Sequence, residues 1–549
     1  QHMDSSSIRS DKPLIDRLLV NGTILTMDPS QPRAETLATK DGRIVFVGSN
    51  QAGRDLARMA GEIVDLKEHA VLPGFIDAHI HFLEYGLSLS QLDLTGARSI
   101  GEMVQKIAER ASETKTGMWV RCWGYDDNKL AEHRHPTRWD LDEATENHPV
   151  LLKHVSGHMS VLNSKAIELT GITRDTLGPQ GGRVDKDPNT GEPNGLLLET
   201  AQDLVQAAMP KYTLDEMCEG LRLASEKAAQ YGITSIHDPG IDAGQFKAYQ
   251  KTLESGHLKT RAYLMIKHES FPSFESTNAV TGFGDEWLRI GSVKIFADGS
   301  LIGRTAAMSE DFENEPGNTG IPTWTQEQLD AAVLGAHSKG FQVAVHAIGD
   351  KGIKMTLDAF ADALKKVPRR DHRHRIEHCG ILNPQLMERI AGMNIVVATQ
   401  PRFIIELGEG FERALGSRIS LTYPFKSLID HGVRVAGSSD CPVVPCPPLW
   451  NIYAAATRKT ETGRALVPAE RVTPEEAIKM FTVEAAYASF EEEKKGSLSV
   501  GKLADYVILS GDPLATDPDR TKDLKVLATV VGGKVVYEDK ELKEKRVIP

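Results

Sequence analysis

The sequence predicts an α/β protein: a (β/α)8 TIM-like barrel with a large insertion after its first strand, and a small β-sandwich built from both chain termini. Three observations predict it. Eight short apolar runs alternate with helical stretches between residues 71 and 490, and eight strand–helix units are what a closed barrel needs. Histidine, lysine and aspartate sit in or just after several of those runs, at the strand ends where such barrels carry their active sites. Both ends of the 549-residue chain are β-rich pieces joined by tight turns.

In chain order, Gln1 and His2 ahead of Met3 read as a tag remnant, with 1–12 a disordered start. Asn21-Gly22 separates Leu18-Leu19-Val20 from Thr23-Ile24-Leu25, and Asp41-Gly42 precedes Arg43-Ile44-Val45-Phe46-Val47; both dipeptides are hairpin signals. The far end repeats the style, with Tyr506-Val507-Ile508-Leu509, a second apolar run from Val526 to Val531, and Gly532-Gly533. Neither end has enough strands to bury a face alone, so 13–70 and 491–549 are expected to share one sandwich domain. The barrel is expected over 71–490, with strands at 71–76, 233–237, 262–266, 290–296, 343–346, 375–378, 395–399 and 433–436. Thr213-Leu214-Asp215-Glu216, Thr325-Gln326-Glu327-Gln328 and Thr473-Pro474-Glu475-Glu476 mark helix starts. The interval from His81 to Asp238 exceeds one βα unit by roughly 110 residues, which places an insertion at about 95–212 over the barrel mouth.

Composition narrows the partners. With 64 Lys+Arg against 76 Asp+Glu the net charge is −12, and 40% of residues are hydrophobic. This is a soluble globular profile that excludes fibrous and disordered classes. An acidic surface without a basic run argues against nucleic acid and anionic membranes, and no apolar stretch approaches the roughly 20 residues of a membrane span. Five scattered cysteines (Cys122, Cys218, Cys379, Cys441, Cys446) make no disulfide framework and point to a reducing cytoplasm. Cys441 and Cys446 lack the second Cys or His pair that a zinc site would want.

The first run ends in Asp77-Ala78-His79-Ile80-His81. Residues two apart in an extended chain project to one side, so both imidazoles can reach one metal ion. Lys294 is a lone lysine inside an apolar run, a costly placement unless it is paired or chemically changed. Later runs end in His346 and His378, and the last leads to Asp440. His133, His135, His372 and His374 read as solvated loop residues.

The segment from Pro73 to His81, followed in order by Lys294, His346, His378 and Asp440, resembles the amidohydrolase superfamily of metal-dependent hydrolases. Trp123-Gly124-Tyr125-Asp126, Ser156-Gly157-His158, Gly232 to Asp238, Lys294 to Ser300, and Gly501 to Tyr506 are similar to its YtcJ-like branch, which includes N-substituted formamide deformylase. The resemblance covers nearly the whole chain. It implies one or two divalent ions, zinc by default: His79 and His81 on the deeper ion, His346 and His378 on the outer one, Asp440 completing the first. Lys294 matches a position that carries a carboxylated, bridging lysine in two-metal members; pairing with a carboxylate such as Asp298 is the alternative, and would leave one ion.

The implied activity is hydrolysis of a C–N amide bond in a small molecule (N-acyl or N-formyl amide, or cyclic amide) by metal-activated hydroxide, with Asp440 as general base and acid. Trp123, Tyr125, His158, Arg304 and Trp450 are candidates to touch substrate. For Arg304 a rim ion pair, for His158 a structural hydrogen bond, and for the aromatics a place in the core are the competing readings. Deamination of a heterocycle is an alternative, although such members usually lack the lysine and place glutamate just after the strand-five histidine, where this chain has Ala347-Ile348-Gly349-Asp350. A non-catalytic binding or regulatory protein on the same scaffold is another. Homo-oligomerisation stays open.

Overall fold

The computed structural model describes residues 13–543, so the start expected at 1–12 lies outside the described residues. Eight strands, β1 (Phe75–Asp77), β2 (Ile233–Ile241), β3 (Arg261–Lys267), β4 (Leu288–Phe296), β5 (Val343–Ala347), β6 (Arg375–His378), β7 (Val396–Thr399) and β8 (Val435–Gly437), pair in that order in one parallel sheet. They are buried along nearly their whole length, as expected of parallel strands covered on both faces. Thr213, Thr325 and Thr473 each accept from the third helical N–H through the side-chain oxygen and donate their own backbone N–H to that residue's side chain, which starts the helices Leu214–Gln230, Gln326–Ser338 and Pro474–Met480.

The barrel is nearly closed. Between β8 and β1 the bridge is made by single bonds: Ala78 N–H donates to the Gly437 carbonyl (3.1 Å), while the Asp77 carboxylate accepts from Ser439 N (3.0 Å) and Ser439 Oγ (2.5 Å). Burial pushes the Asp77 carboxyl up to about 7.

The apolar run at 71–76 is two strands rather than one. Ala70–Pro73 pairs with Tyr506–Leu509 and Thr23–Leu25, outside the barrel, and only Phe75–Asp77 enters it. The break falls at Gly74, where a Cβ would come within 2.2 Å of the Thr234 side chain. A run buried in two different sheets carries no local sign of the switch, because both halves need the same apolar residues.

Between β1 and β2, six strands form a separate mixed sheet ordered Gly182–Lys186, Pro193–Glu199, Met159–Leu162, Val150–His154, Val120–Tyr125 and Leu92–Asp93. The helix Ile100–Glu113 buries Ile100, Met103, Ile107 and Ala111, one stripe at helical spacing, in the same core as Val120, Leu152 and Val161. The terminal segments form a four-stranded sheet and a six-stranded sheet that share a core containing Leu19, Leu37, Val71, Tyr506 and Val530. All five cysteines are free. Among the described residues no helix is long and apolar enough to cross a membrane.

Two of the histidines expected in solvated loops are buried. His374 lies 2.9 Å from His337 through their ring nitrogens and stacks on Phe360, and His372 Nε2 donates to the Met393 carbonyl (2.9 Å). His135 is half-buried against the Tyr125 hydroxyl (2.9 Å). Their polar sequence neighbours resemble a loop, and only packing from distant elements covers them.

The barrel is tied to the C-terminal segment by Arg261 at the start of β3, which donates to both carboxylate oxygens of Asp505 (2.7 and 3.0 Å) with both residues buried. Asp505→Ala strands a buried guanidinium and is expected to cost roughly 3–5 kcal/mol. The check is a lowered urea midpoint; an unchanged midpoint would show that Arg261 finds water or another acceptor.

Candidate metal centre

The two loops that follow β1 and β8 are pinned to each other by backbone bonds: Asp440 N donates to the His79 carbonyl (2.8 Å) and His81 N to the Cys441 carbonyl (3.0 Å). This brings Nε2 of His79 and Nε2 of His81 each to 3.2 Å from Asp440 Oδ1. The ligating atoms of all three lie within 4.8 Å of one another. Asp440 adopts a left-handed backbone (φ 58°), a conformation that Asp and Asn tolerate better than other side chains.

His79 Nε2 and Asp440 Oδ1 are both buried, and neither makes a hydrogen bond despite their closeness. Two polar atoms turned toward one point without bonding each other fit a shared cation, since a buried polar group without a partner is otherwise costly. His79 Nδ1 is held by Glu377 Oε2.

Lys294 projects from β4 with its Nζ buried and unpartnered, 4.4 Å from the centroid of the Phe296 ring. Burial lowers its pKa to about 8. It does not pair with Asp298, whose carboxylate instead accepts the backbone N–H groups of Ala307, Ile348 and Gly349 (2.8–3.0 Å). His346 at the end of β5 spends Nε2 on the Gly299 carbonyl (2.8 Å), which leaves Nδ1 for a ligand. His378 at the end of β6 spends Nδ1 on Gln400 Oε1 (2.7 Å), which leaves Nε2. Their ring centroids are 4.5 Å apart. Burial drives both pKa values down, that of His378 to about 3, so both imidazoles are neutral, the form that binds metal.

These six side chains share a cavity of about 340 Å³ with Trp123, His158 and Trp324. The insertion delivers His158, whose ring lies 5.0 Å from that of His346 and whose Nδ1 bonds Glu199 Oε2 (2.7 Å). Glu199 accepts from Thr305 Oγ1 through its other oxygen (2.5 Å). A Cβ on Gly299 would meet both Thr305 Oγ1 (2.2 Å) and Glu199 Oε1 (2.4 Å), so this crossing of insertion and barrel requires glycine.

Three residues expected near substrate lie elsewhere. Arg304 pairs with Glu315 (3.0 Å), Tyr125 is buried in the core of the insertion, and Trp450 packs against Tyr453 and Arg402; none lines this cavity. A second grouping of possible ligands, Asp126, Asp127 and His154, is already engaged: His154 Nε2 donates to Asp127 (3.1 Å) and Asn128 donates to Asp126 (2.9 and 3.0 Å). Sequence reasoning missed Arg375 and Glu377, although the criterion that singled out Lys294, a charge inside an apolar strand, applies equally to Arg375-Ile376-Glu377-His378.

Comparison with known proteins places the chain in one family. An amidohydrolase family model matches residues 62–537. YtcJ of Bacillus subtilis strain 168 is 33% identical over 528 residues, covering 94% of this chain and 98% of that protein. The N-substituted formamide deformylase of Arthrobacter pascens is 28% identical over 537 residues, covering 95% of this chain and 98% of the relative. Among solved structures, a metal-dependent hydrolase from Pyrococcus horikoshii OT3 superposes with a TM-score of 0.75 at 27% identity, covering 91% of this chain and 99% of that one.

Proposed function

Because the chain belongs to the amidohydrolase family, whose members are metal-dependent hydrolases, we propose that it hydrolyses a C–N amide bond of a small molecule: an N-acyl or N-formyl amide, or a cyclic amide. The observation that carries this reading is the convergence of His79, His81 and Asp440 beside a buried, unpartnered Lys294. In the proposal His79, His81 and Asp440 would hold an inner ion, His346 and His378 an outer one, and Lys294, as its carbamate, would add an anionic oxygen ligand. Zinc suits these imidazole and carboxylate donors. A divalent ion contributes Lewis acidity to a carbonyl and lowers the pKa of a water it binds to about 7.

The chain's own groups do the rest. Asp440 takes a proton from the attacking water and returns it to the departing nitrogen, the task of a carboxylate within hydrogen-bond reach of both. His158, fixed by Glu199, contacts the scissile group from the insertion side. Trp123, Phe296 and Trp324 form apolar cavity wall, which suits a hydrophobic N-substituent of the kind the name of the Arthrobacter relative describes. Deamination is disfavoured by Lys294 and by Ala347, which follows His346 where that chemistry wants a glutamate. A purely regulatory role is disfavoured because all six proposed ligands line the cavity.

The test is product analysis with zinc-loaded enzyme prepared in bicarbonate, on a panel of N-formyl, N-acetyl and cyclic amides beside aminated heterocycles. Amine plus acid is the expected result. Ammonia from the heterocycles, with no amide turned over, would overturn it.

A further inference from the structure

Beneath the approach of His79 to Asp440 lies a buried pair of residues. Glu377 and Arg375 are 0% exposed. Arg375 donates through Nε to Glu377 Oε1 (2.7 Å) and through a terminal nitrogen to Oε2 (3.0 Å). The same terminal nitrogen donates to the Ala78 carbonyl (2.6 Å), and the other meets His237 Nδ1 (2.9 Å). Glu377 Oε2 in turn contacts His79 Nδ1. Glu377 and its chain neighbour His378 both reach His79, whose ring centroid is 5.0 Å from that of His378; the left-handed backbone at His378 (φ 73°) breaks the strand's alternation.

A neutral imidazole has one N–H. An ionised carboxylate only accepts, so Glu377 draws that hydrogen to Nδ1 and leaves a lone pair on Nε2. The lone pair then faces Asp440 Oδ1, another acceptor, at 3.2 Å. Two acceptors at this distance repel unless a cation lies between them, which accounts for both atoms being buried without a hydrogen bond. We propose that Glu377, clamped by Arg375, is a positioning residue that presets the His79 tautomer and orientation for the inner ion. It rests on the assignment of His79 as a ligand of that ion. Outer-shell carboxylates of this kind orient a ligating histidine and raise its basicity, and their loss costs 10–100-fold in metal affinity or activity.

The test is zinc titration of metal-free protein against a chromogenic chelator for wild type, Glu377→Gln and His79→Ala, with bound metal counted by elemental analysis. Glu377→Gln is expected to weaken the tighter site about 10- to 100-fold, and His79→Ala at least as much. Wild-type affinity in Glu377→Gln while His79→Ala loses the site would overturn the proposal alone. Wild-type affinity in both would overturn the ligand assignment and the proposal with it. Nitrogen-15 histidine spectra of the wild-type protein, with His79 assigned by its loss in the alanine variant, give a readout independent of whether the glutamine variant folds. A proton on Nδ1 of His79 before and after zinc is expected, and a proton on Nε2 in the metal-free state would overturn the inference.

Discussion

Asp440→Asn is expected to lower turnover by about 10²- to 10⁴-fold, the range that general acid–base catalysis contributes, while the protein stays folded and still takes up metal. The substitution is chosen for its backbone. Asp440 sits at φ 58°, where asparagine is nearly as well accommodated as aspartate, whereas alanine would add strain to the loop. Asparagine also keeps an oxygen that can occupy the place of Oδ1, 3.2 Å from both His79 and His81. What it lacks is the negative charge and the ability to take up and release a proton. Turnover per bound zinc, measured on the same preparations as the metal content, separates the shuttle from ligation. Turnover near that of wild type with metal bound would remove Asp440 from the proton path.

The second large effect is expected at Lys294. An uncompensated ammonium is disfavoured in a buried site, and no protein acceptor meets Nζ. Attack of the neutral amine on CO₂ forms an N–C bond, releases one proton and leaves a carbamate anion, a group suited to lie between two cations. Protein stripped of metal and CO₂ should therefore regain activity with zinc only when bicarbonate is also present. Lys294→Met, similar in length and apolar, should fold as wild type and lose more than about 100-fold in activity, beyond the upper end for loss of an outer-shell partner, without rescue by bicarbonate. Native mass spectrometry of the reconstituted wild type should show one added CO₂. Full reactivation by zinc in CO₂-free buffer would leave Lys294 as a buried amine beside a single ion.

The two predictions test residues that stand out in the sequence for different reasons. Asp440 follows an apolar run and matches a family position, whereas Lys294 is conspicuous by itself as a charge where burial is expected. Arg375 and Glu377 are conspicuous in the same way, but their role is invisible locally because the partner of Glu377 is His79, 298 residues away. Tyr125, Arg304 and Trp450 illustrate the converse: aromatic and cationic types suit a binding cavity, yet core packing and an ion pair with Glu315 claim them.

By itself the sequence determined the alternation of apolar runs and capped helices, and the order in which His79, His81, Lys294, His346, His378 and Asp440 follow those runs. These are local properties, written in residues a few positions apart, and the parallel barrel converts chain order into neighbouring positions around one rim. Only the tertiary structure decided that one apolar run divides at Gly74 between two sheets, that the insertion lays His158 over His346, and that Glu377, held by Arg375, meets His79 Nδ1. Each of these depends on which distant surface arrives opposite a residue. Burial and hydrogen-bond partnership are properties of that encounter, and residue type constrains them without choosing the partner.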